Sequence, residues 1–438
     1  MRKKTKALSF FLLFFAAQAL PASAQPVLQS VFHNGGVGKC TGCHTIHRAP
    51  SIANGTATQS GPYLLRGTDP GSTCLNCHQA SNLPGPTAQY ISTPDSEMPK
   101  GVPPKQMTPG GDFGWLKKSY TWMSGTTIET DPGYMHGHDI VAVDYGYAAS
   151  PVMTVAPGGT FPASDLTCIS CHDPHGEYRR TANGTIVSDA LQNACASGSY
   201  DTSPDPTPNC PVGDYRLLGG IGYSQMGVDH TFAYGPPVAV APSDYNRSEA
   251  MTQTRVAYGE GMSEWCANCH PAFLNSNPNT LSAYRHPSGN GAKLRFIARN
   301  YNMYIKTGDL SGTIATSYLS LVPFEEGTSN YDVLKTHAKT DNSYLTGPDA
   351  NSNVMCLTCH RAHASGWDFN LRFGPVQQTF LTADPGGQPA WPGTDASGNA
   401  SQAMGRTQAE TSRAYYDYPA SRFSPYQRSL CNKCHIQD

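Results

Sequence analysis

Twelve of the fourteen cysteines in this chain fall in six Cys-x-x-Cys pairs, and each pair is followed at once by histidine. The motifs are Cys40-Thr-Gly-Cys43-His44, Cys74-Leu-Asn-Cys77-His78, Cys168-Ile-Ser-Cys171-His172, Cys266-Ala-Asn-Cys269-His270, Cys356-Leu-Thr-Cys359-His360 and Cys431-Asn-Lys-Cys434-His435. One such motif is a moderate signal; six of six is specific, because histidine is rare, at 15 of 438 residues. The order suits one chemistry: two thiols add to the vinyl groups of a haem, and the next residue offers its imidazole to the iron. Zinc knuckles, redox dithiols and disulfides do not need a histidine at that position every time. The motifs therefore predict six covalently bound haem c groups, with His44, His78, His172, His270, His360 and His435 as proximal iron ligands.

Six macrocycles would also supply what the composition lacks. Hydrophobic residues make up 38% and charged residues 14%, while Gly (43) and Pro (35) are abundant; a conventional core for this length needs more aliphatic material. The expected fold is a multihaem cytochrome c, mostly coil with short helices, haem-cored, with little β-sheet. Helices are expected at the motifs, for instance Ser263 to His270 and Arg428 to His435, and long loops over Ala156 to Ala163 and Ala383 to Ala400. Motif spacings of 34, 94, 98, 90 and 75 residues show no clean internal repeat. Dense haem packing implies a continuous electron-transfer chain, although its order and branching do not follow from density.

Arg2, Lys3, Lys4 and Lys6 precede an apolar stretch from Ala7 to Leu20 and the small residues Ala22-Ser23-Ala24, the three parts of a secretory signal peptide. Residues 1–24 are expected to be removed, leaving one hexahaem domain over 25–438. An apolar stretch of about 14 residues is too short to span a bilayer, and no later stretch could do so, so no transmembrane segment is expected. The exported part keeps 26 of the 30 basic residues and all 32 acidic ones, a formal charge of −6, which excludes electrostatic nucleic-acid binding as the main task. In an oxidising compartment Cys195 and Cys210, the two cysteines outside the motifs, are expected to form a disulfide. No phosphate-binding loop, nucleophile elbow or H-E-x-x-H metal motif is present.

The sixth iron ligand separates an electron carrier from an enzyme, so the other histidines matter. Nine remain, enough for bis-His ligation throughout. His47, His175 and His363 each stand three residues after a motif histidine, in the first, third and fifth motifs. A histidine so placed reaches an adjacent haem more readily than the far face of its own, and the alternation suggests haem pairs. His138, His286 and His337 lie away from the motifs in polar or turn-like settings, and His33 could fold back over the first haem. These seven are the distal candidates for six places. His136 and His230 read as solvated loop histidines, and the methionines as packing.

The stretches Thr108-Pro-Gly-Gly-Asp-Phe-Gly-Trp115, Gly259-Glu-Gly-Met-Ser-Glu-Trp265 leading into the fourth motif, Pro323-Phe-Glu-Glu-Gly327, Arg361-Ala-His-Ala-Ser-Gly366 and Ser424-Pro-Tyr-Gln-Arg428 carry a resemblance. The chain resembles the filament-forming hexahaem outer-surface c-type cytochromes of metal-reducing bacteria over nearly its whole exported length. The resemblance implies bis-His ligation and subunits polymerised end to end, each self-partnered through His47, which would complete the fifth haem, at Cys356, Cys359 and His360, of the next subunit. It implies electrons arriving from periplasmic or outer-membrane cytochromes and leaving to extracellular metal oxides or other acceptors. It offers no counterpart of Cys195 and Cys210, so that pairing rests on the compartment.

An extracellular electron conduit, not an enzyme, is thus the leading reading, located at the cell outer surface. The alternatives are a soluble periplasmic shuttle or a small-oxyanion reductase. A reductase needs an iron with an open site, often marked by C-x-x-C-K, and all six motifs end in histidine.

Overall fold

The computed structural model describes residues 40–45, 51–53, 56–58, 62–79, 89–188, 194–242, 254–274, 287–374, 379–394 and 401–437. The signal peptide, His33, His47 and His286 lie outside the described residues. Among those described, the helices are short: α1 (Cys40–Cys43), α2 (Pro70–His78), α3 (Met262–Cys266), α4 (Ile297–Met303), α5 (Tyr331–His337), α6 (Cys356–Cys359), α7 (Gln408–Ala414) and α8 (Asn432–His435). Five of them carry motif residues, and the third motif opens on the single turn Cys168–Ser170. The longest, α2, starts at Pro70, whose fixed φ suits a first helical position, behind Asp69, whose carboxylate accepts from Ser72 N–H at 2.7 Å.

Strands are shorter still. A hairpin pairs Tyr120–Ser124 with Thr127–Asp131 through a left-handed Gly125, and Tyr178–Arg180 lies between Ile186–Ser188 and Val212–Gly213. The helix expected over Ser263 to His270 ends at Cys266, and only the last four residues of Arg428 to His435 are helical. Ala156 to Ala163 is irregular, but the stretch expected as a loop from Ala383 begins in a small ladder. There Thr382–Ala383 pairs with Pro389–Ala390 around Gly387, at φ +78°. Among the described residues no helix is long and apolar enough to cross a membrane.

The protein's own core is aromatic rather than aliphatic. Trp115, Trp367, Tyr301, Tyr331, Tyr415, Tyr416 and Tyr418 are fully buried. Tyr415 stacks on Phe380 and Trp391 at 4.7 and 4.8 Å between centroids. Wide planar side chains fill space between loops at small entropic cost, which suits a chain with few regular elements to interdigitate. Arginine completes the packing: Arg406 is buried between the rings of Tyr120 and Trp367, 4.2 Å from each, and pairs with Asp131.

Cys195 and Cys210 form a disulfide, their Cα atoms 5.4 Å apart. Within the loop it closes, Ser199 Oγ accepts from Arg216 N–H at 2.9 Å, and the Tyr331 hydroxyl donates to the Tyr200 carbonyl at 3.0 Å. Replacing both cysteines by serine is expected to cost roughly 3 kcal/mol for a closed loop of this length. Denaturant unfolding of the double variant against the parent measures it; equal midpoints would show that the loop's packing suffices without the bond.

Candidate haem sites

The six motifs follow one another in space as in sequence. Cys43 of the first faces Cys74 and Cys77 of the second. Cys74 neighbours Cys168 of the third, and the motif histidine His78 neighbours His172. Cys171 neighbours Cys269 of the fourth, and Cys266 neighbours Cys356 of the fifth. Cys359 in turn neighbours Cys431 and Cys434 of the sixth. Fold contacts build this line: α2 packs on the turn Cys168–Ser170, and α3 on α6, where Ser263 Oγ accepts from Cys356 N–H at 3.0 Å.

Each motif histidine needs an unprotonated Nε2 to bind iron, and the backbone sets that tautomer. Nδ1 donates to a main-chain carbonyl at five motifs: His44 to Tyr63 at 3.1 Å, and His78 to Gln89, His172 to Arg216, His270 to Pro157 and His360 to Phe369, each at 2.8 Å. A carbonyl only accepts, so the proton resides on Nδ1 and the Nε2 lone pair is left for a metal. Burial lowers the imidazoles of His78, His172 and His360, keeping them neutral. These accepting carbonyls belong to residues with no common side chain, so sequence reading could not find them.

The described distal candidates divide into two kinds. His138 donates from Nδ1 to the Ala362 carbonyl at 2.8 Å, and its ring lies 6.1 Å from that of His270, at 43°. Burial, then the neighbouring His270, lowers it to about 4. With metal–nitrogen bonds of roughly 2 Å, two rings on opposite sides of one ion sit about this far apart. His363 lies on Phe113, stacked at 4.8 Å, and a Cβ on Gly110 would stand 2.9 Å from its Nδ1. Burial, then His172, lowers it to about 3. The Thr108–Trp115 stretch is thus the cradle of His363, brought from the fifth motif to the third. His175 is exposed, its backbone N–H held by Asp173 at 2.9 Å.

His337 is different, because both ring nitrogens are engaged. Nδ1 donates to the Glu326 carboxylate, Nε2 accepts from the Tyr344 hydroxyl at 2.8 Å, and the two rings stack at 4.2 Å. His136 and His230 are not the solvated loop histidines that the sequence suggested. His136 is fully buried, donating to the Trp115 carbonyl at 2.9 Å with Nε2 3.1 Å from Asp131. His230 is wedged edge-on against Phe161 and Phe232, its Nε2 4.0 Å from Cys269 Sγ.

Compared with known proteins, the chain is 52% identical over 434 residues to C-type cytochrome OmcS of Geobacter sulfurreducens, spanning 97% of this chain and 98% of that protein. The chain belongs to the OmcS family of c-type cytochromes. Its fold matches the cryo-EM structure of OmcS nanowires from Geobacter sulfurreducens with a TM-score of 0.87. It matches the Outer Membrane Cytochrome S filament from the same organism with 0.86. Each structure is 53% identical and is covered completely by 93% of this chain. No family model matches. As an OmcS-type c-type cytochrome the chain binds haem c. The residues present fit that group: paired thiols on one turn, a neutral imidazole after them, and lone-pair nitrogens held in place by carbonyls.

Proposed function

We propose that the chain is an extracellular electron conduit that carries six haem c groups in one row and polymerises through its own ligands. The observation that carries the reading is the succession of motifs, each beside the next, together with imidazoles held in the metal-binding tautomer. Each bound haem supplies an iron that passes one electron between its ferric and ferrous forms. Cys40 and Cys43, Cys74 and Cys77, Cys168 and Cys171, Cys266 and Cys269, Cys356 and Cys359, and Cys431 and Cys434 hold the six groups; the histidine after each pair is the proximal ligand.

Distal ligands are assigned from the imidazoles that neighbour the motif histidines. His138 serves the fourth site, opposite His270, and His363 serves the third, opposite His172. His337, with both nitrogens bonded, is the surplus member of the seven, leaving His33, His47, His138, His175, His286 and His363 for six irons. His363 therefore reaches from the fifth motif to the third. The same step taken from the third motif would bring His175 to the first, and from the first motif would bring His47 to the fifth site of the neighbouring subunit. Filament growth is then the internal ligation pattern continued across subunits.

His47→Ala is expected to abolish filaments and leave one iron per chain without its sixth ligand. Negative-stain microscopy and the low-spin haem signal measure it. Filaments of normal length with every iron low-spin would overturn the assembly mechanism, and monomeric parent protein would favour a periplasmic shuttle. The location at the outer surface, the donors upstream and acceptors such as metal oxides follow from the same reading. Immunogold labelling of intact cells tests the location.

A further inference from the structure

The odd-numbered motifs share a backbone device that their sequences do not announce. In each, the carbonyl accepting the motif imidazole opens a pair of left-handed residues: Tyr63 and Leu64 (φ 57° and 59°), Arg216 and Leu217 (57° and 51°), Phe369 and Asn370 (53° and 57°). The next residue, Leu65, Leu218 or Leu371, pairs as an antiparallel bridge with His44, His172 or His360. Two further backbone bonds recur. The residue after the histidine donates to the second left-handed carbonyl (Thr45 to Leu64, Asp173 to Leu217, Arg361 to Asn370). The residue after the leucine donates to the second cysteine's carbonyl (Arg66 to Cys43, Gly219 to Cys171, Arg372 to Cys359), all at 2.7–2.9 Å. Among the described residues neither His78 nor His270 makes this bridge.

Consecutive left-handed non-glycine residues cost about 1 kcal/mol or more each, so something must hold the turn. One side chain does so in all three copies. Arg66 Nε donates to the carbonyl of Thr41, the second residue of its motif, at 2.8 Å. Arg372 Nε donates to the equivalent Leu357 carbonyl at 2.6 Å and to His360 O at 3.0 Å. In the third motif glycine occupies the arginine's place, and the Tyr223 hydroxyl takes the same two acceptors, Ile169 O at 2.6 Å and His172 O at 3.1 Å. Burial, reinforced by Asp173, raises the Tyr223 phenol, so it remains a neutral donor.

We propose that Arg66, Tyr223 and Arg372 are positioning residues for the proximal ligands of the first, third and fifth haems, locking the motif backbone onto the turn that orients each imidazole. The inference rests on the haem reading above. Arg66 and Arg372 also place a cation beside their site, which favours the reduced, more electron-rich iron.

The test uses the haem-loaded full-length protein. Tyr223→Phe removes the hydroxyl proton that the two carbonyls share without changing charge and is expected to alter the low-spin electron paramagnetic resonance signature of one haem in six. Arg66→Gln is expected to move one reduction wave to lower potential, and Arg66→Lys to return it toward the parent value. Arg66 is exposed, so these variants remain informative if a change at the buried Arg372 prevents accumulation. Parent-like signatures and waves in both Tyr223→Phe and Arg66→Gln, with six haems bound, would overturn the proposal. A parent protein binding fewer than six haems would instead overturn the reading beneath it.

Discussion

A His138→Ala protein is expected to keep its covalently bound haems and to lose the sixth ligand of one iron. The ring stands 6.1 Å from His270 and is fixed by the Ala362 carbonyl, and no other described candidate lies in ring contact with His270 on that side. The expected result is one high-spin haem in six, able to bind carbon monoxide, while the parent binds none. Resonance spectra and a carbon monoxide difference spectrum measure it. A fully low-spin variant that ignores the gas would show that the fourth haem draws its ligand elsewhere. Because an open site is also what reductase chemistry needs, nitrite should perturb this variant and leave the parent unchanged.

Arg406→Met should produce the largest loss of stability. The guanidinium is fully buried, 2.5 Å from Asp131, which also faces His136 at 3.1 Å, and it is sandwiched by Tyr120 and Trp367. Deleting one member of a buried pair costs about 3–5 kcal/mol, since the remaining charge stays out of water. Adding Asp131→Asn should recover part of the loss by removing that charge, a coupling that the double-mutant cycle reads directly. Denaturant midpoints at neutral pH measure both; a loss below about 1 kcal/mol would show that the surroundings relax to hydrate Asp131. Burial alone would raise the Asp131 carboxyl, but His136 and Arg406 outweigh it and hold it below the usual range. With the folded value below the unfolded one, the pair's contribution is fully present above about pH 3.9. It is lost as pH falls through the lower folded value. The parent's advantage over Arg406→Met should therefore shrink in acid.

The haem-attachment motifs were legible because covalent chemistry demands fixed residue types at fixed spacing. The loop-rich fold was legible for a related reason: a chain with this much glycine and proline and so little aliphatic content has few ways to build long elements. His363 was recognised as a ligand candidate from its place three residues after His360, yet its cradle was not. Gly110 matters because of what its missing Cβ would meet, a fact about residues some 250 positions away. His136 shows the converse. A histidine in a turn-like stretch looks solvated until the fold lays Asp131 and the Trp115 carbonyl against it.

The internal repeat marks the boundary most clearly. Motif spacings are irregular because the connecting loops vary in length, so no period appears along the chain. In space, the turns after Tyr63, Arg216 and Phe369 repeat atom for atom in their hydrogen bonds, since a main-chain carbonyl can come from any residue that reaches the place. The donor that braces them can likewise be an arginine three residues past a turn's start or a tyrosine further on. By itself, then, the sequence determined the cofactor class and the scarcity of regular structure and proposed the attachment residues, because these depend on residue type and local order. Which histidine faces which motif, how the motifs line up, and which backbone atoms fix each imidazole were decided by the tertiary structure alone, because they depend on long-range contacts and on main-chain atoms that every residue shares.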